Sequence, residues 1–436
     1  MLRTIDLRAT RPSASELLAL VPRAATDVSA ALAPARGLID AVREHGEAAL
    51  IEQAERLDRV RPPHVRVPDD ELERARDELV PEIRDAIERT IDRVRAASAA
   101  QVPAPERTVL AAGAIVEQRW QPVGRVGLYV PGGKAVYPSS VVMNVVPAQV
   151  AGVRSIALAS PPQAAFGGRV HPTVAGVAAL LGITEVYAMG GAGAIGAFAY
   201  GVPSLGLDPV QRVTGPGNVY VAAAKRLVQG VTGIDSEAGP TDILVIADDS
   251  ADADFVAADL VSQAEHDELA AAVLVTDSSE FAARVVERVA ARVAATKHSV
   301  RVRASIEGVQ SAVVLVDDLE QAADFANAFG PEHLEIQVRD ADGVLARIEN
   351  AGAIFIGPYS PVSLGDYAAG SNHVLPTGGQ ARYAAGLSAA TFLRPQQVVR
   401  YDEQALREVA PVIAALSTVE DLPAHGEAIT ARFDGA

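Results

Sequence analysis

The sequence predicts an α/β fold in which helices cover parallel sheets. From about Ala114, short β-branched runs alternate with alanine-rich helical stretches, which is typical of strands buried between helices. Only 4% of the 436 residues are aromatic, and the abundant alanine and glycine suit helices packed closely on a sheet. A chain of this length exceeds one simple core, so we expect at least two domains.

The first hundred residues show helical periodicity. Residues Ser13 to Ala31 predict a short helical arm. Pro34 to Leu57 and Asp69 to Ala100 place apolar residues at helical spacing, with Glu and Arg on the opposite face. We therefore expect amphipathic helices before the first predicted strand.

The predicted strands fall into two sets, one across Val126 to Gly239 and one across Thr241 to Gly357. The apolar runs occupy residues 126–130, 155–159, 185–189, 243–246, 272–275 and 312–316. Two such sets predict two α/β domains. The final stretch, from about Ala389, is predicted to be helical and polar, as a separate arm would be.

Composition excludes several classes of protein. The net charge of -17 argues against a nucleic-acid partner, which needs a basic patch. The chain has no cysteine, which excludes disulfides, thiolate metal sites and a cysteine nucleophile. The start of the chain lacks an apolar signal region, and the apolar runs are too short to span a bilayer. We therefore predict no membrane association and a cytoplasmic location.

Three glycine-rich segments follow or precede predicted elements. Residues 129–133 and 190–194 follow strands, and Gly215-Pro216-Gly217-Asn218 opens a helix that runs through Lys225. Glycines at these points let a ligand approach the backbone amides of a helix N-terminus, as in dinucleotide sites. Tight strand-to-helix turns need the same residues. A G-x-G-x-x-G match at residues 191–196 lacks the acidic ribose partner about 20 residues on, and we interpret it as accidental.

Polar residues gather in four separate segments. Gln263 and His266 share one helix face, which suits a divalent metal or a solvated helix end. Glu332 and His333 precede a strand, where they could serve two proton transfers or form an ordinary connection. A glycine-bounded loop from residue 364 to 373 carries a carboxylate and an imidazole, and a further Glu-and-His segment spans residues 420–425.

Together these segments resemble histidinol dehydrogenases. The resemblance runs from about Thr4 to Phe433, and six motifs occur in the family's order. The matching motifs are residues 126–133, 215–218, 263–267, 331–335, 365–367 and 424–425.

The resemblance implies one zinc ion per active site and the two-step oxidation of L-histidinol to L-histidine with two NAD. The implied zinc ligands are Gln263, His266, Asp366 and His425. The general bases fall on Glu332 and His333. Implied substrate contacts are Thr241, Gln263, His266, His333, Asp366, Glu420 and His425.

The resemblance also implies two Rossmann-like domains and a homodimer whose subunits share each active site. The implied division is an N-terminal helical arm over residues 1–29, a first α/β domain over 30–128 and 241–388, a second over 129–240, and a C-terminal arm over 389–436. The first domain carries the zinc and catalytic residues, the second faces NAD, and the C-terminal arm reaches into the partner subunit.

The implied cofactor contacts are Tyr129, Asn218 and position 193, where the sequence departs from the family. Gly193 stands where the family usually has glutamine. Glycine donates no side-chain hydrogen bond, so either NAD binds more weakly or backbone and water fill the gap. A milder departure is Thr241 in place of serine, which keeps the hydroxyl.

Three alternative functions stay open from the sequence. A related enzyme could act on another small alcohol, although Glu420 and the segment 263–267 favour histidinol. A zinc hydrolase could use the same polar residues, although it needs no dinucleotide segments. A non-catalytic relative is least compatible with a full set of ligands and bases.

Overall fold

The computed structural model describes residues 2–23, 28–132, 136–237 and 239–433. The chain divides into two compact units. The first comprises Met1–Gln101 and Gly124–Phe392, and the second comprises Val102–Val123 and Leu393–Ala436.

The strands are short, and most are nearly or fully buried. They are β1 (Arg3–Asp6), β2 (Glu106–Ala111), β3 (Ala114–Pro122), β4 (Arg125–Tyr129), β5 (Ser155–Ser160), β6 (Glu185–Ala188), β7 (Arg212–Thr214), β8 (Gly233–Ile234), β9 (Asp242–Ala247), β10 (Ala271–Thr276), β11 (Ala312–Leu315), β12 (His333–Gln337), β13 (Ala353–Ile356) and β14 (Leu393–Tyr401).

The α-helices alternate with these strands through most of the chain. They are α1 (Ala14–Leu20), α2 (Val28–His45), α3 (Glu47–Gln53), α4 (Asp69–Asp77), α5 (Pro81–Ala100), α6 (Pro138–Val150), α7 (Pro172–Leu180), α8 (Gly191–Tyr200), α9 (Val219–Val228), α10 (Ala253–Ala264), α11 (Ser279–Ala295), α12 (Ser299–Glu307), α13 (Leu319–Phe329), α14 (Ala341–Leu345), α15 (Val362–Tyr367), α16 (Glu403–Val419) and α17 (Pro423–Thr430). A π-helical turn, Ala54–Asp58, directly follows α3.

The first unit contains two parallel sheets, which confirms the predicted α/β class. One has six strands in the order β1-β11-β10-β9-β12-β13, and the other has five in the order β6-β5-β4-β7-β8. Every residue of β9, β10 and β11 is buried, because helices cover both faces of a parallel sheet. This burial explains why these strands are continuous apolar runs in the sequence.

Two strands, β1 near the start of the chain and β14 in its last quarter, are not predicted by the sequence pattern. The largely exposed β1 pairs in parallel with β11 as the edge of the six-stranded sheet. β14 pairs with β3 in the antiparallel sheet β14-β3-β2 of the second unit. Neither strand has a buried apolar run, so backbone pairing rather than hydrophobic patterning defines them.

The predicted domain division places helix α2 in the domain that carries the zinc and catalytic residues. In the structure, α2 packs against α8 and α9 beside the five-stranded sheet. The division itself stays a prediction. Among the described residues, no helix is both long and apolar enough to cross a membrane.

Candidate active site

Two neighbouring cavities of the first unit contain most of the predicted site residues. One, of about 550 Å³, is lined by Thr241, His266, Glu332, His333 and Asp366. The other, of about 900 Å³, lies beside the five-stranded sheet. Both are lined by Tyr129, Gly132 and Asn218, so the cavities meet at these residues. The arrangement offers a substrate chamber that adjoins a larger chamber.

A hydrogen-bond chain connects Gln263, which lines neither cavity, to Thr241 and Glu332, which line the smaller one. Thr241 Oγ1 donates to Glu332 Oε2 at 2.5 Å and accepts from Gln263 Nε2 at 2.6 Å. Thr241, which directly precedes β9, thereby connects Gln263 in the last turn of α10 to Glu332, which directly precedes β12. A hydroxyl is required here because the same oxygen must both donate and accept.

Glu332 is buried yet keeps polar contacts. Its Oε2 also accepts from the backbone N–H of Asp242 at 3.1 Å, and its own N–H donates to Asp242 Oδ1 at 2.8 Å. Burial raises the pKa of Glu332 above the ordinary glutamate value. A carboxylate with a raised pKa is a stronger base, so Glu332 is suited to accept a proton from water in the cavity.

Three cavity histidines share one hydrogen-bonding arrangement. The Nδ1 atoms of His266, His333 and His373 lie 3.3, 3.0 and 2.9 Å from the backbone carbonyl oxygens of Gln263, Asp242 and Asp366. A carbonyl oxygen only accepts, so each Nδ1 carries a proton and Nε2 is the nitrogen left for other partners. His333 can therefore act as a base through Nε2, and His266 can bind a metal through Nε2.

One buried oxygen next to the lining residue Thr241 has no hydrogen-bond partner among the described residues. Gln263 is 1% exposed, its Nε2 is used by Thr241, and its Oε1 remains unsatisfied among the described residues. Leaving a buried acceptor unpaired costs about 1–3 kcal/mol. A cation bound by Oε1 removes that cost, and an amide oxygen with a neutral imidazole and a carboxylate forms a donor set that suits zinc. Gln263, His266 and Asp366 therefore fit a metal ion.

The described part of the chain contains no group of three or more His, Asp or Glu side chains arranged around a metal position. Of the predicted zinc ligands, the first unit supplies one imidazole and one carboxylate, those of His266 and Asp366, together with the amide of Gln263. The other predicted residues, Glu420 and His425, belong to the second unit, where both are exposed at the end of α16 and within α17.

A second buried network holds the helix that carries Asp366. Glu335 Oε1 accepts from the N–H of Val362, the first residue of α15, at 3.0 Å. Burial raises the pKa of Glu335 well above its ordinary value and also raises that of neighbouring Asp259. Gln337 Nε2 donates to both carboxyl groups, at 3.0 and 3.3 Å. This network therefore holds the first residue of the helix that carries Asp366.

The larger cavity has the features of a nucleotide site. Tyr129 ends β4, and its hydroxyl accepts from the N–H of Gly191 at the start of α8 at 3.1 Å. Burial raises the pKa of Tyr129 to about 12, so the phenol is neutral. Asn218 caps α9 through hydrogen bonds from Tyr220 and Val221. The N-termini of α8 and α9 thus border the cavity, where their dipoles favour anions such as phosphate.

The loop before α9 is fixed by a buried ion pair. Lys225 Nζ lies 2.6 Å from Asp235 Oδ1 and also donates to the carbonyl of Gly215. Asp235 Oδ2 accepts from the N–H of Gly215 at 2.8 Å. Gly215 has φ of +116°, and a Cβ there would lie 1.9 Å from Tyr129 O, so only glycine fits.

Position 193 lies inside helix α8 and does not line either cavity. A Cβ on Gly193 would lie 2.1 Å from Gln53 Oε1, and one on Gly196 would lie 3.2 Å from the Cα atom of Ile39. Gly193 and Gly196 thus permit close helix packing, whereas Gly191, the first glycine of the G-x-G-x-x-G match, lines the larger cavity, and the interpretation of the match as accidental stays a prediction. Gly133, part of one glycine-rich motif, lies outside the described residues.

Several residues of the site were not predicted. His373 lines the smaller cavity, and its Nε2 lies 3.0 Å from Ser140 Oγ. Burial lowers its pKa, which favours the neutral ring. His373 belongs to the glycine-bounded polar loop of residues 364–373, and its place in that loop was the signal that could have identified it as a site residue. No such signal in the sequence marked Lys225, Asp235 and Glu335. The role of each depends on tertiary packing, which buries it against its partner.

Comparisons with known proteins agree over almost the whole chain. A family model described as histidinol dehydrogenase matches residues 21–433. The chain is 66% identical over 433 residues to the histidinol dehydrogenase of Leifsonia xyli subsp. xyli, covering 99% of each. It is 56% identical to that of Nocardia farcinica, covering 99% of this chain and 98% of the relative. A crystal structure of histidinol dehydrogenase from Elizabethkingia anophelis matches with a TM-score of 0.92 at 30% identity, covering 99% and 98% of the two chains.

Proposed function

The chain belongs to the histidinol dehydrogenase family, and from this premise we propose that it oxidises L-histidinol to L-histidine through L-histidinaldehyde. The proposal includes NAD as the hydride acceptor in both steps and one zinc ion per active site. The observation that carries it is the unsatisfied, buried Oε1 of Gln263, joined through Thr241 to the buried base Glu332.

Zinc would be held by Gln263, His266 and Asp366, with His425 as the fourth ligand. When bound, it would supply Lewis acidity and orient the nitrogens of the substrate. The fixed Nδ1–H of His266 supports this assignment, because a ligating imidazole usually donates its other N–H to an acceptor.

Alcohol oxidation requires a base for the hydroxyl proton. We assign that role to His333, because its Nδ1 donates to Asp242 O, its Nε2 is left for the substrate hydroxyl, and the residue lines the smaller cavity. Nε2 would take the hydroxyl proton as hydride leaves the carbinol carbon for NAD, and Tyr129 and Asn218 line the cavity that would hold the dinucleotide.

Aldehyde oxidation requires water, because the chain has no cysteine to form a covalent thiohemiacetal. We assign water activation to Glu332. The hydrogen bonds from Thr241 and Asp242 both reach Oε2, which leaves Oε1 available to a water molecule. As Glu332 takes a proton from water, the water oxygen would bond to the aldehyde carbon and the carbonyl oxygen would become an alkoxide, and loss of hydride from that carbon to the second NAD would then give the carboxylic acid.

We further propose that the enzyme is a cytoplasmic homodimer in which Glu420 and His425 act in the partner's site. Their exposure in the second unit is compatible with a role between subunits. Mixing two variants that are each impaired in forming L-histidine, Glu332→Gln and His425→Ala, tests this. Hybrid dimers with activity well above either parent support sharing, whereas mixtures with no gain contradict it.

The assay that tests the function counts NADH formed per L-histidinol, with and without a chelator. Two NADH per substrate, lost on chelation and recovered with zinc, is the expected result. An enzyme for another alcohol would give no NADH from histidinol. A hydrolase or a non-catalytic relative would form no NADH from any alcohol. Full activity in metal-free protein would refute the zinc assignment.

A further inference from the structure

Gln53 is a polar side chain buried where it contacts the cofactor side of the fold. It ends α3, immediately before the π-helical turn Ala54–Asp58, and is only 5% exposed. Its Oε1 lies so close to Gly193 that a Cβ at that position would come within 2.1 Å. The carboxamide of Gln53 therefore occupies the volume that a side chain at position 193 would enter.

The orientation of this carboxamide follows from its one hydrogen bond. Gln53 Nε2 donates to Leu38 O in α2 at 3.0 Å. A backbone carbonyl only accepts, so the nitrogen must face Leu38 and the oxygen must face Gly193. Among the described residues, Oε1 accepts no hydrogen bond. The side chain is thus fixed at its nitrogen, and Oε1, which is not one of the fully buried unpaired atoms, is free to accept a hydrogen bond from a bound molecule.

The residue itself belongs to the wall of the larger cavity. Gln53 lines it together with Tyr129 and Asn218, the residues predicted to contact the cofactor. The π-helical turn that follows contributes Asp58 to the same wall. Such turns interrupt α-helices frequently at functional sites, because they displace side chains from regular helical positions.

We propose that Gln53 is a cofactor-binding residue whose Oε1 accepts a hydrogen bond from an O–H or N–H group of the pyridine dinucleotide. It supplies from α3 the side-chain amide that Gly193 lacks, and Gly193 is required because it gives Gln53 room. The sequence left two explanations for Gly193, weaker binding or replacement by backbone and water. Gln53 supplies a third, replacement by a side chain distant in sequence. This inference rests on the proposed use of NAD.

Binding of NADH to the zinc-loaded protein, followed by nucleotide fluorescence, tests the role without turnover. Gln53→Leu keeps the size of the side chain and removes the acceptor, so the dissociation constant should rise about five- to tenfold, as expected for one lost hydrogen bond. Gln149→Leu is the matched control, because Gln149 Nε2 donates to Leu181 O at 2.8 Å but lines neither cavity. The control should bind NADH as the wild type does.

A second pair of variants tests the packing of Gln53 against Gly193. Gly193→Gln alone should weaken NADH binding, because its Cβ displaces the carboxamide of Gln53. Adding Gln53→Ala should recover affinity, since the new glutamine then has room. Recovery in the double variant supports exchange of the two positions. Additive losses, or tighter binding by Gly193→Gln alone, would overturn it.

The outcomes separate this inference from the proposed function. If the wild type fails to bind NADH, the dinucleotide assignment itself is wrong. If the wild type binds and Gln53→Leu binds equally well, only the role of Gln53 is wrong. If Gln53→Leu does not fold, Gly193→Ala serves instead, because alanine suits a helix interior and its Cβ meets the same oxygen. Unchanged NADH affinity in Gly193→Ala would then count against the proposal.

Discussion

The hydroxyl of Thr241 donates a hydrogen bond of 2.5 Å to Oε2 of Glu332. The same oxygen accepts from Gln263 Nε2 at 2.6 Å. One hydroxyl thus fixes both the proposed water-activating base and the proposed metal ligand, and it orients the amide of Gln263 so that Oε1 stays unpaired. The two halves of the proposed chemistry are coupled through a single side chain.

We expect Thr241→Val to lower both activity and zinc affinity, whereas Thr241→Ser preserves them. Valine has the shape of threonine but leaves Gln263 Nε2 and Glu332 without their shared partner, at a cost of about 1–3 kcal/mol. Zinc content and turnover measured on the three proteins check this. Equal turnover in the valine and serine variants would contradict the coupling.

Replacing Glu332 by glutamine should slow aldehyde oxidation more than alcohol oxidation. The amide keeps the volume but cannot accept the water proton, and loss of a general base costs about 10²- to 10⁴-fold. Single-turnover NADH formation from L-histidinol and from L-histidinaldehyde measures the two steps separately. The same fractional loss in both steps would show that Glu332 does not have the assigned role.

Gln263→Ala should lower zinc content and remove the gain in thermal stability that added zinc gives the wild type. Gln321→Ala is the matched control, because Gln321 is also a buried glutamine, but it bonds Leu7, Thr10 and Asp317, none of which lines either cavity. Elemental analysis and melting temperatures with and without zinc provide the readout. Loss of zinc from both variants alike would argue against a specific ligand at position 263.

The sequence was sufficient for elements that local chemistry determines. The buried runs of β9 and β10, and the cap of α9 at Asn218, lie where patterning placed them. The partners of Glu332 and His333 could not be predicted, because Thr241 and Asp242 approach them only when β9 and β12 pair. Gln53 and Gly193 meet through helix packing, which no local motif records. The edge strand β1 is defined by hydrogen bonding to β11 and has no buried apolar pattern.

Lys225→Met should destabilise the protein by about 3–5 kcal/mol, since it leaves Asp235 as an uncompensated buried charge. The two side chains are 1% and 5% exposed. Arg226→Met is the control, because the neighbouring Arg226–Glu237 pair is 42% and 24% exposed and should contribute about 0–1 kcal/mol. Denaturant unfolding of both variants measures the difference. Similar losses would mean that burial of the Lys225 pair does not matter.

Asp58→Asn should raise the melting temperature at pH 7.5 and leave it unchanged near pH 4. Burial raises the pKa of Asp58 from 3.8 to about 6. A group whose folded pKa lies above its unfolded value binds the proton more tightly in the native state. Its contribution to stability is therefore complete below pH 3.8 and is lost as the pH rises through about 6. Asparagine removes that loss because it never ionises.

The pH series for Asp58→Asn needs a control for the change of net charge. Glu52→Gln removes an exposed carboxylate from the same cavity wall, where Glu52 pairs with Arg56 at 2.8 Å. Each variant shifts the melting temperature relative to the wild type, and the informative quantity is the difference between these two shifts at each pH. A surface-charge effect of similar size in both variants cancels from that difference. That difference should grow in favour of Asp58→Asn between pH 4 and pH 7.5, following the titration of a group with a pKa of about 6. A difference that stays constant across the series would show that folding does not perturb the Asp58 carboxyl.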